Sequence, residues 1–276
     1  MQISILSGKG GTGKTTVAVN LAAITGWRYV DCDVEEPNGF IFLNPEVVAR
    51  EDVAIPVPNI NKEKCILCKR CVEICQFNAL AMVKDQVLFF EKLCHGCGAC
   101  MLVCPEEAIS EKDRTIGIIE EGKGQGIECI QGVLNLGEPM SGPIIRKIKK
   151  KITQGNSLID CSPGNSCNVV KAIEGSDYAI LVTEPTEFGL HDLRVAVGLV
   201  RKMSIPFGLI LNRADKYHKI IADYCQKENI RMLGAIPFDK KAAMMYSEGK
   251  LLIKDRYYRQ LFEEISDNLK EVTKCS

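Results

Sequence analysis

The chain has 276 residues, a length that suits one large domain or one domain carrying a smaller one. Hydrophobic residues are 46% and charged residues 25%, so a sizeable core can form beneath a wetted surface, as in an ordinary soluble globular protein. Lys and Arg number 35, as do Asp and Glu, so no global field draws the chain to nucleic acid or anionic lipid, and neither partner is expected.

The N-terminus, MQISILSGKGG, has no basic n-region and no long apolar stretch, and it is not read as a signal peptide. No run approaches the roughly 18 apolar residues of a membrane span. Fourteen cysteines without a secretory signal point to metal ligation in a reducing compartment, and the expected location is the cytoplasm.

QISIL (2–6) reads as a buried strand, followed by Gly-rich sequence and a helix with Val17, Leu21 and Ile24 on one face. RYVD (28–31) reads as a second strand. The proline-bearing stretch AIPVPNINKEK (54–64) marks a boundary. A cysteine-rich block with an internal repeat occupies 64–112. RTIGIIEEG and GIECIQGVL then read as strands and PIIRKIKKKI as a helix, its RKIKKK run forming a solvated face. SLIDC, YAILVT, FGLIL and IRMLGAI are further apolar strands, each followed by a helical stretch. Such alternation predicts a parallel sheet covered on both faces. The tail carries Leu261, Ile265, Leu269 and Val272 at helical spacing; its mixed charge favours a packed terminal helix over a membrane grip.

Gly8, Lys9, Gly10, Gly11, Thr12, Gly13, Lys14 and Thr15 fit G-x-x-x-x-G-K-[ST], with Thr16 entering the helix. The glycines let backbone N–H groups wrap phosphates, Lys14 neutralises β/γ charge, and the Thr15 hydroxyl reaches Mg²⁺. A strand before and a helix after supply the required context.

The early lysine makes this loop resemble the deviant Walker A motif of MinD/Mrp/ParA-type ATPases of the SIMIBI class. The resemblance implies that Lys9 crosses a face-to-face dimer to the partner's nucleotide, a stabiliser in trans. Asp31-Cys32-Asp33-Val34-Glu35-Glu36-Pro37-Asn38 resembles switch I, which gives Asp33 the attacking water or the Mg²⁺ shell. Leu158-Ile159-Asp160-Cys161-Ser162-Pro163-Gly164 resembles Walker B running into switch II. It implies that Asp160 holds Mg²⁺ through water and that the Gly164 amide senses the γ-phosphate. Asn212-Arg213-Ala214-Asp215 resembles the base-recognition segment and echoes N-K-x-D. ATP is implied, and GTP stays open. Pro237 and Phe238 fall where the family packs a loop on the base. The resemblance thus makes Lys9, Lys14, Asp33 and Asp160 the catalytic set.

Cys65-x2-Cys68-x2-Cys71-x3-Cys75 and Cys94-x2-Cys97-x2-Cys100-x3-Cys104-Pro105 repeat the bacterial ferredoxin spacing. In that run the fourth cysteine crosses to the other cluster. One 4Fe–4S cluster therefore takes Cys65, Cys68, Cys71 and Cys104, and the second takes Cys94, Cys97, Cys100 and Cys75. Zinc is the competing reading, but structural zinc uses separated ligand pairs. Gln76 stands where ferredoxins usually carry proline. Cys32 and Cys161 flank the proposed switches and read as apolar fillers or as thiols that contact a metal. The C-P-x-C pair of Mrp-type scaffolds is absent.

The chain as a whole resembles MinD/Mrp-type P-loop ATPases bearing an inserted ferredoxin domain. The expected fold is α/β, a doubly wound, mostly parallel sheet over 1–57 and 113–276 with a small α+β ferredoxin-like insert over 58–112. Glu184–Leu193 and Gly137–Gly142 resemble signatures of the ferredoxin-inserted branch, expected at the dimer face or a partner site. The implied cofactors are ATP, Mg²⁺ and two 4Fe–4S clusters. The implied partners are a second copy or a related ATPase, and a redox or metalloprotein acceptor. The implied function is ATP-gated electron delivery or cofactor assembly. A positioning or partition ATPase with redox-sensing clusters, and a non-catalytic redox module, are the alternatives.

Overall fold

The computed structural model describes residues 1–152, 155–214 and 219–274; Asp215 and Cys275 lie outside them. β1 (Gln2–Leu6) leads through the glycine loop into α1 (Lys14–Thr25), and β2 (Arg28–Asp31) and the short α2 (Gly39–Leu43) follow. β3 (Glu46–Ile60) runs out to the cysteine block. That block holds α3 (Arg70–Ile74), the hairpin β4 (Leu80–Val83) and β5 (Gln86–Phe89), and α4 (Ala99–Leu102). β6 (Ile109–Gly124) returns from the block and turns into β7 (Ile127–Leu134). Strand and helix then alternate: α5 (Gly142–Lys151), β8 (Ser157–Asp160), α6 (Cys167–Ile173), β9 (Tyr178–Thr183) and α7 (Glu187–Lys202). β10 (Phe207–Ala214), α8 (Lys219–Glu228), β11 (Arg231–Pro237), α9 (Lys240–Ser247) and α10 (Arg256–Lys274) complete the chain.

One sheet takes the order β11-β10-β9-β1-β8-β2-β7-β6-β3. It is parallel from β11 to β7, and β6 and β3 add antiparallel pairs at one edge. Parallel strands are covered on both faces, so their sequences are apolar almost throughout. Alternate residues serve opposite cores. Leu6, Val30 and Ile159 pack under Ile144, Val169 and Val197 of α5, α6 and α7. Ile3, Ile5 and Leu158 pack under Val17 and Leu21 of α1 and Phe262 and Ile265 of α10. The packed terminal helix expected from the tail is present, with Leu269 buried and Leu261 and Val272 partly so. Removing the Phe262 ring would cost about 3–5 kcal/mol, because its surroundings relax only partly.

The prolines of the 54–64 stretch do not break the strand, which ends at Ile60, inside that stretch. Residues 46–60 form one strand, in which Pro56 pairs with Asp113 and Pro58 with Glu111. β3 is the outermost strand, and Pro56 and Pro58 share one direction in its alternation. Their missing N–H groups face away from β6, where no ladder bond is lost. β3 and β6 thus form one ribbon, from Glu46 opposite Lys123 to Ile60 opposite Ile109, and the cysteines sit at its end.

Candidate functional site

The nucleotide cradle follows from β1 ending against α1. Gly11 (φ 76°) and Gly13 (φ 91°) take left-handed conformations that turn the loop around the helix start. No side chain among the described residues caps α1, so its first N–H groups stay free for an anion. Ser7 Oγ donates to Lys9 O (2.6 Å), and Asn212 Nδ2 donates to Thr12 O (2.8 Å). A Cβ at Gly13 would lie 2.1 Å from Asn212 Nδ2. Gly10, Gly11, Gly13, Lys14, Thr15 and Thr16 border a cavity together with Asp33, Asn212, Arg213, Pro237 and Phe238. Glu36 and Asn38 of the Asp31–Asn38 segment also line it, as do Asp239 and Tyr246, which no motif in the sequence marked.

Three carboxylates stand at the strand ends beside the cradle. Asp31 is paired in register with Asp160 across β2 and β8, and both are buried. The Tyr29 hydroxyl lies 2.9 Å from Asp31 Oδ2 and 3.1 Å from Asp160 Oδ2. Asp31 Oδ1 accepts the Asp33 N–H (3.0 Å) and its Oδ2 the Gly39 N–H (3.1 Å), which shapes the segment carrying Asp33. Burial, then the nearby Asp160 charge, pushes Asp31 up to about 8. Burial raises Asp160 to about 6 against the pull of Lys14 and of the Thr15 hydroxyl. Asp33 is raised by burial and held down by Lys14 and Ser162. Asp160 Oδ1 is buried without a hydrogen-bond partner among the described residues. An orphaned carboxylate oxygen beside a threonine hydroxyl is the hard donor set that Mg²⁺ takes, so the residues present fit that ion.

Lys9 and Gly164 are placed differently. Lys9 is ion-paired with Glu184 of its own chain, and Arg213 reaches the same carboxylate at 3.1 Å. The Gly164 N–H donates to Ser7 O (2.9 Å), so its amide is engaged by the loop. Glu184 lies between β9 and Thr186, whose side chain accepts the Gly189 N–H (2.9 Å) to cap α7. Cys32 and Cys161 are fully buried beside Asp31 and Asp160, and burial raises Cys161 to about 12. Both are neutral fillers.

The cysteine block is duplicated in its backbone as well as its spacing. Left-handed residues recur at Leu67 and Gly96, at Lys69 and Gly98, and at Asn78 and Glu107. Left-handed residues between right-handed ones aim successive N–H groups into a concavity that suits anionic sulfur. Ala79 N donates to Cys75 Sγ (3.3 Å), and its repeat counterpart Ala108 N donates to Cys104 Sγ (3.2 Å). One cavity is bordered by Cys75, Cys94, Cys97 and Cys100. Another is bordered by Cys65, Cys68, Cys71 and Cys104. The ribbon therefore brings together the crossed sets.

Among the described residues, no three His, Cys, Asp or Glu side chains converge as a single ion requires. One tetrahedral zinc needs sulfurs about 3.8 Å apart, whereas thiolates on a cubane each bind a different iron and stand wider. The residues present fit cubane clusters. Phe77 and His95 stack at 3.7 Å beside the first cavity, which accounts for His95 as packing.

A strand, glycine loop and helix at the carboxyl edge of a parallel sheet, with an acidic residue ending the neighbouring strand, define a P-loop nucleotide-binding protein. The profile of the CobQ/CobB/MinD/ParA nucleotide binding domain matches residues 3–253, and the chain belongs to that family. An uncharacterized protein of Methanocaldococcus jannaschii is 34% identical over 275 residues, 97% of each chain. An iron-sulfur cluster carrier protein of Pyrococcus horikoshii is 26% identical over 299 residues, 98% of this chain and 87% of that one. The solved structure of the septum site-determining protein MinD of Pyrococcus horikoshii, complexed with Mg-ADP, superposes with a TM-score of 0.63. It covers 98% of this chain and 96% of that one at 20% identity, a likeness of fold alone. No helix among the described residues is long and apolar enough to cross a membrane.

Proposed function

We propose that the chain is an ATP-hydrolysing iron–sulfur protein that works as a dimer and couples its nucleotide state to electron transfer toward a metalloprotein acceptor. The observation that carries this reading is the pair of cavities, each bordered by one crossed cysteine set, on a ribbon continuous with the nucleotide-binding sheet. Residues 58–112 act as the inserted two-cluster unit. When bound, 4Fe–4S clusters supply one-electron steps.

At the cradle, the loop amides and Lys14 bind the phosphates, and Asn212 and Arg213, with Pro237 and Phe238, face the base. Thr15 and Asp160 would hold Mg²⁺, which would supply neutralisation of the phosphate charge. Asp33 orients the attacking water. Lys9 of one subunit leaves Glu184 and reaches the γ-phosphate held by the other. Gly164 exchanges Ser7 for the same phosphate. Hydrolysis needs no covalent intermediate, because positioning and charge neutralisation suffice.

Each set joins one buried cysteine, Cys71 or Cys94, to one exposed cysteine, Cys68 or Cys97, an arrangement that anchors a cluster while leaving one edge open for electrons to leave. The relatives named iron-sulfur cluster carriers support cofactor assembly as the task those electrons serve. The test is anaerobic incubation of the reconstituted protein with ATP and an apo-acceptor. Retained cluster iron with oxidation of the clusters supports electron delivery. Iron recovered in the acceptor replaces that reading with cluster donation.

A further inference from the structure

The two cysteine sets are not equivalent in the fold. Cys75 and Cys94 pack into the same core as Val34 and Cys161, beside the switches. Cys71 and Cys104 pack into a small second core with Leu80 and Ile109, which Cys100 alone of the inner set also touches. One set abuts the nucleotide domain, and the other sits at the tip of the ribbon, where Ile66 and Leu102 are exposed.

A chain of polar contacts spans the gap to the inner set. Ser141 Oγ donates to Glu35 Oε1 (3.1 Å), and Asn168 Nδ2 donates to Ser141 Oγ (2.5 Å) and to Glu35 Oε1 (3.4 Å). Glu35 belongs to the Asp33–Asn38 segment, and Asn168 lies in the first turn of α6, just past Gly164. Ser141 is therefore clasped at once by the proposed switch I and by the first turn of the helix that follows switch II. Three residues earlier, Glu138 forms a buried ion pair with Arg114 of β6 at 2.5 Å. Asn135 N donates to Ile116 O (2.9 Å) and pins the near end of the same loop to β6. Arg114 is paired in register with Ile55, against which the Gly96 turn between Cys94 and Cys97 packs, and a Cβ at Gly137 would lie 3.1 Å from Lys92 Nζ, two residues before Cys94.

We propose that residues 135–142 form a strut by which nucleotide binding changes the electrostatic surroundings of the cluster held by Cys75, Cys94, Cys97 and Cys100, and not those of the cluster at the tip. The inference rests on the functional reading above. A guanidinium beside a cluster favours its reduced, more negative state, and the Glu138 carboxylate offsets that effect. The pair is largely buried, where a small change in separation alters the field far more than in water. Arg114 Nε and Nη2 and Glu138 Oε2 are buried without further partners among the described residues, so nothing else fixes the pair in one arrangement. Movement of Glu35 and Asn168 toward a γ-phosphate drags Ser141 and, through Pro139 and Met140, the Glu138 carboxylate. Glu138, Ser141 and Asn168 are positioning residues, since they touch neither nucleotide nor cysteine sulfur.

The test uses the anaerobically reconstituted full chain, titrated potentiometrically and followed by EPR, empty and with a non-hydrolysable ATP analogue. Cys97→Ala and Cys68→Ala variants assign the two signals. The analogue is expected to move the reduction equilibrium of the inner cluster by about tenfold, or 59 mV for one electron, and to leave the outer one in place. Without nucleotide, Glu138→Gln is expected to shift the inner cluster toward its reduced form. Ser141→Ala is expected to abolish the analogue's effect while calorimetry shows the analogue bound. Hydrogen exchange over 135–142 gives a readout independent of the clusters, and nucleotide is expected to change it. Equal responses from both clusters, or full transmission in Ser141→Ala, overturn the strut and leave the coupling standing. No response from either cluster with analogue bound overturns the coupling, and the strut with it.

Discussion

Lys9 and Glu184 of one chain are ion-paired, and Glu184 holds Arg213 as well. The lysine that the proposed dimer needs across its interface is thus retained at home by a carboxylate. Lys9 is about one-third exposed, 35%, so the pair is worth at most about 1 kcal/mol. Glu184→Gln is expected to tighten nucleotide-dependent dimerisation by up to about fivefold, read by sedimentation velocity with an ATP analogue. Lys9→Ala is expected to keep nucleotide affinity and lose about a thousandfold in phosphate release.

The carboxylates at the strand ends predict two opposite pH effects. Asp160, raised to about 6, must be ionised to hold Mg²⁺. The Mg²⁺-dependent part of nucleotide affinity should therefore fall about tenfold per pH unit below 6 and level off above it, with proton release seen by calorimetry in two buffers. Asp31, raised to about 8, keeps its proton in the folded state when the unfolded chain has lost it. Between about pH 4 and 8 the folded state binds more protons, so stability falls as pH rises through that window and is then flat. Thermal melts of the nucleotide-free protein should show this decline.

Crossed ligation makes a sharp demand on cysteine variants. Cys104→Ala should remove the same EPR signal as Cys65→Ala, its distant partner in sequence, and not that of its neighbour Cys94→Ala. Each should lower bound iron from about eight to about four per chain in anaerobic reconstitution.

Gly13→Ala should be costly for two separable reasons. Its φ of 91° disfavours any side chain, and a Cβ there would run into the Asn212 amide. A loss of about 1–3 kcal/mol in stability is expected, with nucleotide affinity down about tenfold or more in fluorescent-nucleotide titration. Asn212→Ala, which removes the bond to Thr12 O but leaves the loop its glycine, should lose affinity with a smaller change in melting temperature.

What could be read in advance had local chemistry. The phosphate loop is one run of backbone with a strand before it and a helix after it. The cysteine spacing repeats within a short block, and cluster ligation is a matter of spacing. Tyr29 could not be read in this way. Its two acceptors, Asp31 and Asp160, are brought together only by the β2–β8 register. The clasp of Glu35, Ser141 and Asn168 was hidden for the same reason, since it joins three segments far apart in the chain. That Pro56 and Pro58 sit within the strand rather than at its end could not be read either, because proline interrupts a central strand but is harmless on the unpaired side of an outer one, and only the sheet order says which applies.

Those two prolines have a further effect. An outermost strand is an open template on which another chain can stack, and β3 is 15 residues long. Pro58 is buried, both prolines line the cavity bordered by Cys94, Cys97 and Cys100, and Gly96 lies against Pro56 O, so the cysteine block itself covers this end of the rim. An incoming strand meets covered backbone there as well as two missing N–H donors.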